Sequence, residues 1–86
     1  MGEEKTKLFK RLKKIEGQIK GLQKMIHQDR SCEEIITQLS SISGALKGVG
    51  MMIIKIYLKE CLQKGKSIEE IEREFQKIIK RFIVNL

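Results

Sequence analysis

Cys32 and Cys61 are the only two thiols in this 86-residue chain, and they carry its most reactive chemistry. A thiolate attacks disulfides and persulfides, and it holds soft metals such as Cu(I). Cys32 follows Arg30 and Ser31 at what reads as the first turn of a helix, where the positive end of the helix dipole favours a thiolate. Cys61 falls in the last turns of the same helix, where the dipole acts in the opposite sense. This pattern makes Cys32 the attacking thiol and Cys61 the resolving one; the alternative is that both are small buried hydrophobes. The cysteines are 29 positions apart, which at about 1.5 Å per residue is roughly 43 Å along one straight helix. A disulfide needs Cα atoms within about 7 Å, and a shared metal site is similarly compact. Any joint chemistry therefore needs a second copy of the chain.

The remaining candidates are weaker. Tyr57 lies four residues before Cys61 and shares its helix face, but a neutral phenol is a poor Cu(I) ligand, and packing or a hydrogen bond is its expected role. His27, the single histidine, is placed to bind the terminal carbonyls of a first helix. Met25, Met51 and Met52 suit a core. The chain contains no nucleophile–base pair, phosphate loop or CxxC motif, and Arg11, Lys14 and Glu16 form a set that charged helices produce by chance. An enzyme is not expected.

The elements that must position the cysteines are helices. Leu8, Leu12, Ile15, Ile19, Leu22 and Ile26 step by four and three, as do Ile35, Leu39, Ile42, Leu46, Val49, Ile53 and Ile56, and then Ile68, Ile71, Phe75, Ile78 and Phe82. Helix one is expected at about 5–28, helix two at about 32–64 and helix three at about 68–83, with a fraying tail from Val84 to Leu86. Ser31 with Glu34, and Ser67 with Glu70, predict capping boxes, and Gly65 suits the close of helix two. Gly44, Gly48 and Gly50 interrupt helix two at a cost of roughly 1 kcal/mol each. Something must offset that cost, and Ser43, Gly44, Ala45 and Gly48 leave room for a facing helix near the midpoint between the cysteines. An antiparallel pair of copies crossing there would bring Cys32 of one beside Cys61 of the other; a kink is the alternative.

Composition agrees with an all-α domain spanning residues 1–86. Proline is absent, aromatic residues are 5 % and the net charge is +7. So short a chain would leave much of its stripe wet, and oligomerisation is the expected remedy. Residues 1–30 hold nine basic groups against four acids, and Lys10, Arg11, Lys13, Lys14 and Lys20 point to phosphate binding rather than a membrane surface. The helices are too long for a helix-turn-helix unit. The longest unbroken apolar run is Met51 to Ile54 and the opening MGEEKTK is no signal segment, so the expectation is a cytoplasmic protein without a membrane span.

Arg11–Gly21 (RLKKIEGQIKG), Cys32–Leu39 (CEEIITQL) and Tyr57–Cys61 (YLKEC) together resemble the copper-sensitive operon repressor family over roughly residues 5 to 64. The resemblance implies three-helix protomers with a long central helix, an antiparallel dimer forming a helical bundle, and a dimer-of-dimers tetramer. It implies a repressor that binds double-stranded operator DNA until its cysteine site is occupied, with Arg11, Lys14, Gln18 and Lys47 on the DNA face. Copper sensors of this family carry histidine where this chain has Tyr57. Ser31 replaces their common tyrosine, and the additional histidines of nickel sensors and the N-terminal proline of formaldehyde-responsive members are also absent. What remains is similar to the sulfurtransferase-repressor branch, which responds to persulfides. The expected inducer is thus a persulfide or polysulfide acting at Cys32 and Cys61, with no cofactor. Two alternatives stand beside it: a Cu(I)-responsive repressor using the same two thiolates as ligands, and a non-sensing helical assembly protein.

Overall fold

The three apolar stripes fold as α1 (Gly2–His27), α2 (Cys32–Gln63) and α3 (Ile68–Asn85), in a computed structural model that describes residues 2–85. Helix α1 starts three residues earlier than the spacing predicts and α3 runs two further. The expected fraying of Leu86 lies outside the described residues. No strand occurs among them, and the all-α class stands. The chain divides into two compact units, one ending at Val49 and the other beginning at Gly50.

In the first unit α1 and the front of α2 run antiparallel. Gln38 Nε2 donates to the Gln18 carbonyl at 3.1 Å, Gly21 faces Gln38, and Gly48 faces Arg11. Ile15, Ile42 and Val49 are buried, with Leu8, Leu22, Ala45 and Leu46 packed against them. The α1 stripe is therefore used by halves. Leu8, Ile15 and Leu22 turn inward, whereas Leu12, Ile19 and Ile26 remain 38 %, 41 % and 55 % exposed. Helix α2 does the same, burying Ile42, Val49 and Ile56 and leaving Leu39 and Ile53 open.

In the second unit α3 folds back along the end of α2. Gly50 has no side chain, and the Phe82 ring lies where a Cβ would stand. The glycine cost expected in mid-helix is thus offset at Gly50 by a ring laid on bare backbone.

Both reversals are Schellman closures. Gly65, at φ 72°, donates its N–H to the Leu62 carbonyl while Lys66 N–H reaches back to Cys61, each at 3.2 Å. The first turn repeats this with a residue that the sequence pattern does not single out. Asp29 sits at φ 54°, its N–H bonding the Ile26 carbonyl at 3.1 Å and that of Arg30 the Met25 carbonyl at 3.0 Å. The expected caps form as well: Ser31 Oγ accepts the Glu34 N–H, and Ser67 Oγ accepts that of Glu70, both at 3.2 Å. The reciprocal arm differs at Ser31, because the Glu34 carboxylate takes the Ser31 hydroxyl and the Arg30 guanidinium.

By length and composition α2 is long and apolar enough to cross a bilayer. Counting unbroken apolar runs misses this, because the serines, threonine and glycines between its isoleucines break a run without adding charge. The same composition is what a helix surrounded by other helices requires.

Candidate functional site

The basic residues expected on a nucleic-acid face separate into neighbouring sets. Arg11, Lys14 and Gln18 share a groove of about 410 Å³ with Ile15, Gly44, Ala45 and Gly48. The small residues of α2 form one side of it, so in this unit they clear space beside α1 side chains. Gln18 contributes a buried side-chain oxygen with no hydrogen-bond partner among the described residues, an atom that an outside donor would satisfy. Lys10 and Lys13 line a second, shallower hollow with Thr6, Phe9 and Lys14. Lys20 and Lys47 are exposed and line neither groove.

The two cysteines are free thiols in contrasting settings. Cys32, at the start of α2, is exposed, whereas Cys61 is 2 % exposed. An attacking thiol must be reached by its reagent, which suits the role expected of Cys32. Among the described residues no three His, Cys, Asp or Glu side chains gather as a metal-holding group. His27 is exposed at the end of α1, and Met51 is also exposed.

Around Cys61 the second unit builds a polar network in which Tyr57 makes a hydrogen bond, one of the roles expected of it, with partners that the sequence pattern does not single out. The Tyr57 hydroxyl donates to the Glu74 carboxylate, and Lys66 Nζ donates to both Glu74 oxygens at 3.1 Å. Glu74 holds the phenol far above its usual titration range, and hydrogen bonding with the Cys61 sulfur pushes the same way. Tyr57 is a neutral donor at any ordinary pH. Its hydroxyl in turn lowers the Glu74 carboxyl, with Lys66 adding to the effect, and Glu74 raises Lys66. By sequence, Glu74 is only one of several acids complementing the α3 dipole. A usable signal is present nonetheless: Tyr57 lies eight residues before Gly65 and Glu74 nine after it, so an antiparallel fold-back there brings them to nearly the same level.

An all-helical protein with a basic groove on its first helix and one exposed and one buried thiol on its second defines the class. Comparison with known proteins makes it particular. Residues 4–82 match the family described as metal-sensitive transcriptional repressor, and the chain belongs to that family. It is 33 % identical to the copper-sensing transcriptional repressor CsoR of Bacillus subtilis, over 92 % of this chain and 81 % of that protein. It is 35 % identical to the transcriptional repressor RcnR of Escherichia coli K12, over 83 % and 77 % of the two chains. Among solved structures, the Cu(I)-bound copper-sensing repressor CsoR of Geobacillus thermodenitrificans superposes with a TM-score of 0.79 at 38 % identity, covering 96 % of this chain and 90 % of that one. The nickel-responsive regulator InrS follows at 0.75 and 32 %, covering 90 % of each.

Proposed function

We propose that residues 1–86 act as one cytoplasmic DNA-binding domain, a repressor that leaves its operator when reactive sulfur species modify an intersubunit pair of Cys32 and Cys61. The observation that carries this reading is Tyr57. Where copper sensors of the family carry an imidazole, this chain has a phenol whose proton is committed to Glu74. The nearby chemistry that remains is that of two thiols.

The sulfur steps balance without an added oxidant. The Cys32 thiolate attacks the outer sulfur of an organic persulfide; the S–S bond of the reagent breaks, the organic thiolate leaves and Cys32 becomes a persulfide. The Cys61 thiolate of a second copy then attacks the inner sulfur of Cys32. Hydrosulfide leaves, and an interchain disulfide remains. If Cys61 is itself sulfurated first, the same displacement gives a trisulfide. The link ties two α2 helices together and alters how the paired α1 faces meet DNA.

The DNA face is built on Arg11, Lys14 and Gln18, flanked by Lys10, Lys13, Lys20 and Lys47. The copies assemble as an antiparallel dimer through the open half-stripes of α1 and α2, and as a tetramer of two dimers.

A second reading is favoured by the copper-sensing names of two relatives. Cu(I) is a soft ion that binds thiolates tightly, and the donor set fits it as Cys32 and Cys61 from two copies. It does not fit a third ligand at Tyr57.

Mass spectrometry after separate exposure to an organic persulfide and to Cu(I), with operator binding followed in parallel, tests both. Interchain sulfur links with DNA release support the first. Stoichiometric copper binding with release, and no response to persulfide, replaces it with the second. Failure to bind DNA at any site leaves a helical assembly protein.

A further inference from the structure

The second unit carries a groove of about 440 Å³ lined by Tyr57, Glu74, Lys77, Ile78, Lys80 and Arg81. That volume suits a small organic molecule. Glu74 is already engaged by Tyr57 and Lys66, so Lys77 and Lys80 leave the groove with a cationic excess. Ile78 and the Tyr57 ring supply apolar surface. Tyr57 stands four residues before Cys61 on the same face of α2, which places one wall of the groove beside a thiol that solvent scarcely touches. The basic face on α1 does not include these residues.

We propose that this groove binds the carboxylate-bearing body of a low-molecular-weight persulfide and presents its sulfur to the cysteine pair. The proposal rests on the sulfur-sensing reading above and names the inducer's class: an organic anion, not inorganic sulfide alone. Lys77 and Lys80 bind the carboxylates and Ile78 packs against the aliphatic stem. When a cysteine thiolate takes the outer sulfur and the reagent's S–S bond breaks, the organic thiolate departs from the same groove.

The test compares the full chain with its Lys77→Ala/Lys80→Ala double variant, both positions being exposed. Thiol modification by glutathione persulfide, a carboxylate-bearing anion, is timed against that by cysteamine persulfide, which carries an ammonium group and no carboxylate. Binding of S-methylglutathione, which has no sulfur to transfer, is followed by calorimetry. The wild-type protein is expected to react roughly tenfold faster with the anion, to lose that advantage as salt rises, and to bind S-methylglutathione. The double variant is expected to lose both the preference and the binding while reacting with cysteamine persulfide as before. Equal rates with both reagents, and no S-methylglutathione binding, overturn the groove while leaving sulfur sensing in place. If neither persulfide modifies the wild-type protein, sulfur sensing fails, and S-methylglutathione binding that the double variant loses still upholds an organic-anion groove. A double variant that loses operator affinity but keeps its anion preference assigns these lysines to DNA and overturns the proposal.

Discussion

The Tyr57 hydroxyl has one proton and two neighbours, Glu74 and Cys61, and it donates that proton in a hydrogen bond to Glu74 while keeping it. That choice keeps the phenol neutral and denies a metal the donor that an imidazole would offer. Tyr57→His is therefore expected to raise Cu(I) affinity, read by competition with a Cu(I) chelator; an unchanged affinity would mean that this position does not face the thiols of an assembled site. Cys32→Ser and Cys61→Ser should each retain operator binding and abolish release by persulfide, measured by fluorescence anisotropy of labelled operator. The two should differ in product. With Cys61 replaced, the accessible Cys32 still becomes a persulfide that mass spectrometry detects, but no interchain link follows. The network also has a pH signature. The Glu74 carboxyl is lowered below its ordinary value of about 4.3, so its contribution to holding α3 is complete above that value and disappears as pH falls through the lower folded-state value. Lys66 is raised, so its share is complete below about 10.4 and is lost as pH rises through the folded-state value. Between these limits the attachment of α3 should not vary with pH, and Glu74→Gln should remove most of the acid-side dependence when unfolding midpoints are compared.

At the scale of elements, the two Schellman turns decide where α2 begins and ends, but their central residues are unequal. Gly65 adopts a positive φ without a Cβ to obstruct it, whereas Asp29 does so with one. Gly65→Ala is expected to destabilise the chain by about 1 kcal/mol, and Asp29→Gly to stabilise it by up to about 1 kcal/mol, both from chemical denaturation. A destabilising Asp29→Gly would mean that the aspartate side chain contributes more than its backbone conformation costs. The helices, their caps and the Gly65 closure are legible in the sequence because period, capping residue and glycine each act locally. The partition of the stripes is not. Leu8, Ile15 and Leu22 are chemically like Leu12, Ile19 and Ile26, and one sequence does not say which half turns inward. Gly50 reads only as a mid-helix cost to be offset, and the ring that offsets it, Phe82, is fixed only by where α3 returns. Cys32 and Cys61 are legible as types and positions; their contrast in exposure depends on the packing around them. Glu74 is hidden among four acids of α3's first half, and only the fold-back at Gly65 distinguishes it.

At the scale of the whole molecule, the proposed assembly makes the uncovered half-stripes and the basic groove serve one another. Leu12, Ile19 and Ile26 on α1 and Leu39 and Ile53 on α2 are large apolar side chains left open to solvent, and burying one fully is worth about 1.5–3 kcal/mol. A two-fold axis uses each such residue twice, once from either copy. In the proposed dimer Leu39→Glu with Ile53→Glu should thus cost well beyond the burial of two side chains, and sedimentation should show monomer where the wild-type chain is expected as dimer or tetramer. The same variant separates assembly from chemistry. Cys32 should still be sulfurated, but interchain links should vanish, because the proposed mechanism takes its resolving thiol from another copy. Operator binding should weaken steeply too, since a monomer presents only one basic groove. In the wild-type assembly, log affinity should fall linearly with log salt, and Arg11→Ala should reduce that slope by about one for each phosphate that its guanidinium no longer neutralises. A variant that is monomeric yet retains the full slope and affinity would show that a single groove suffices for DNA, and the two-fold arrangement would then serve only the thiols.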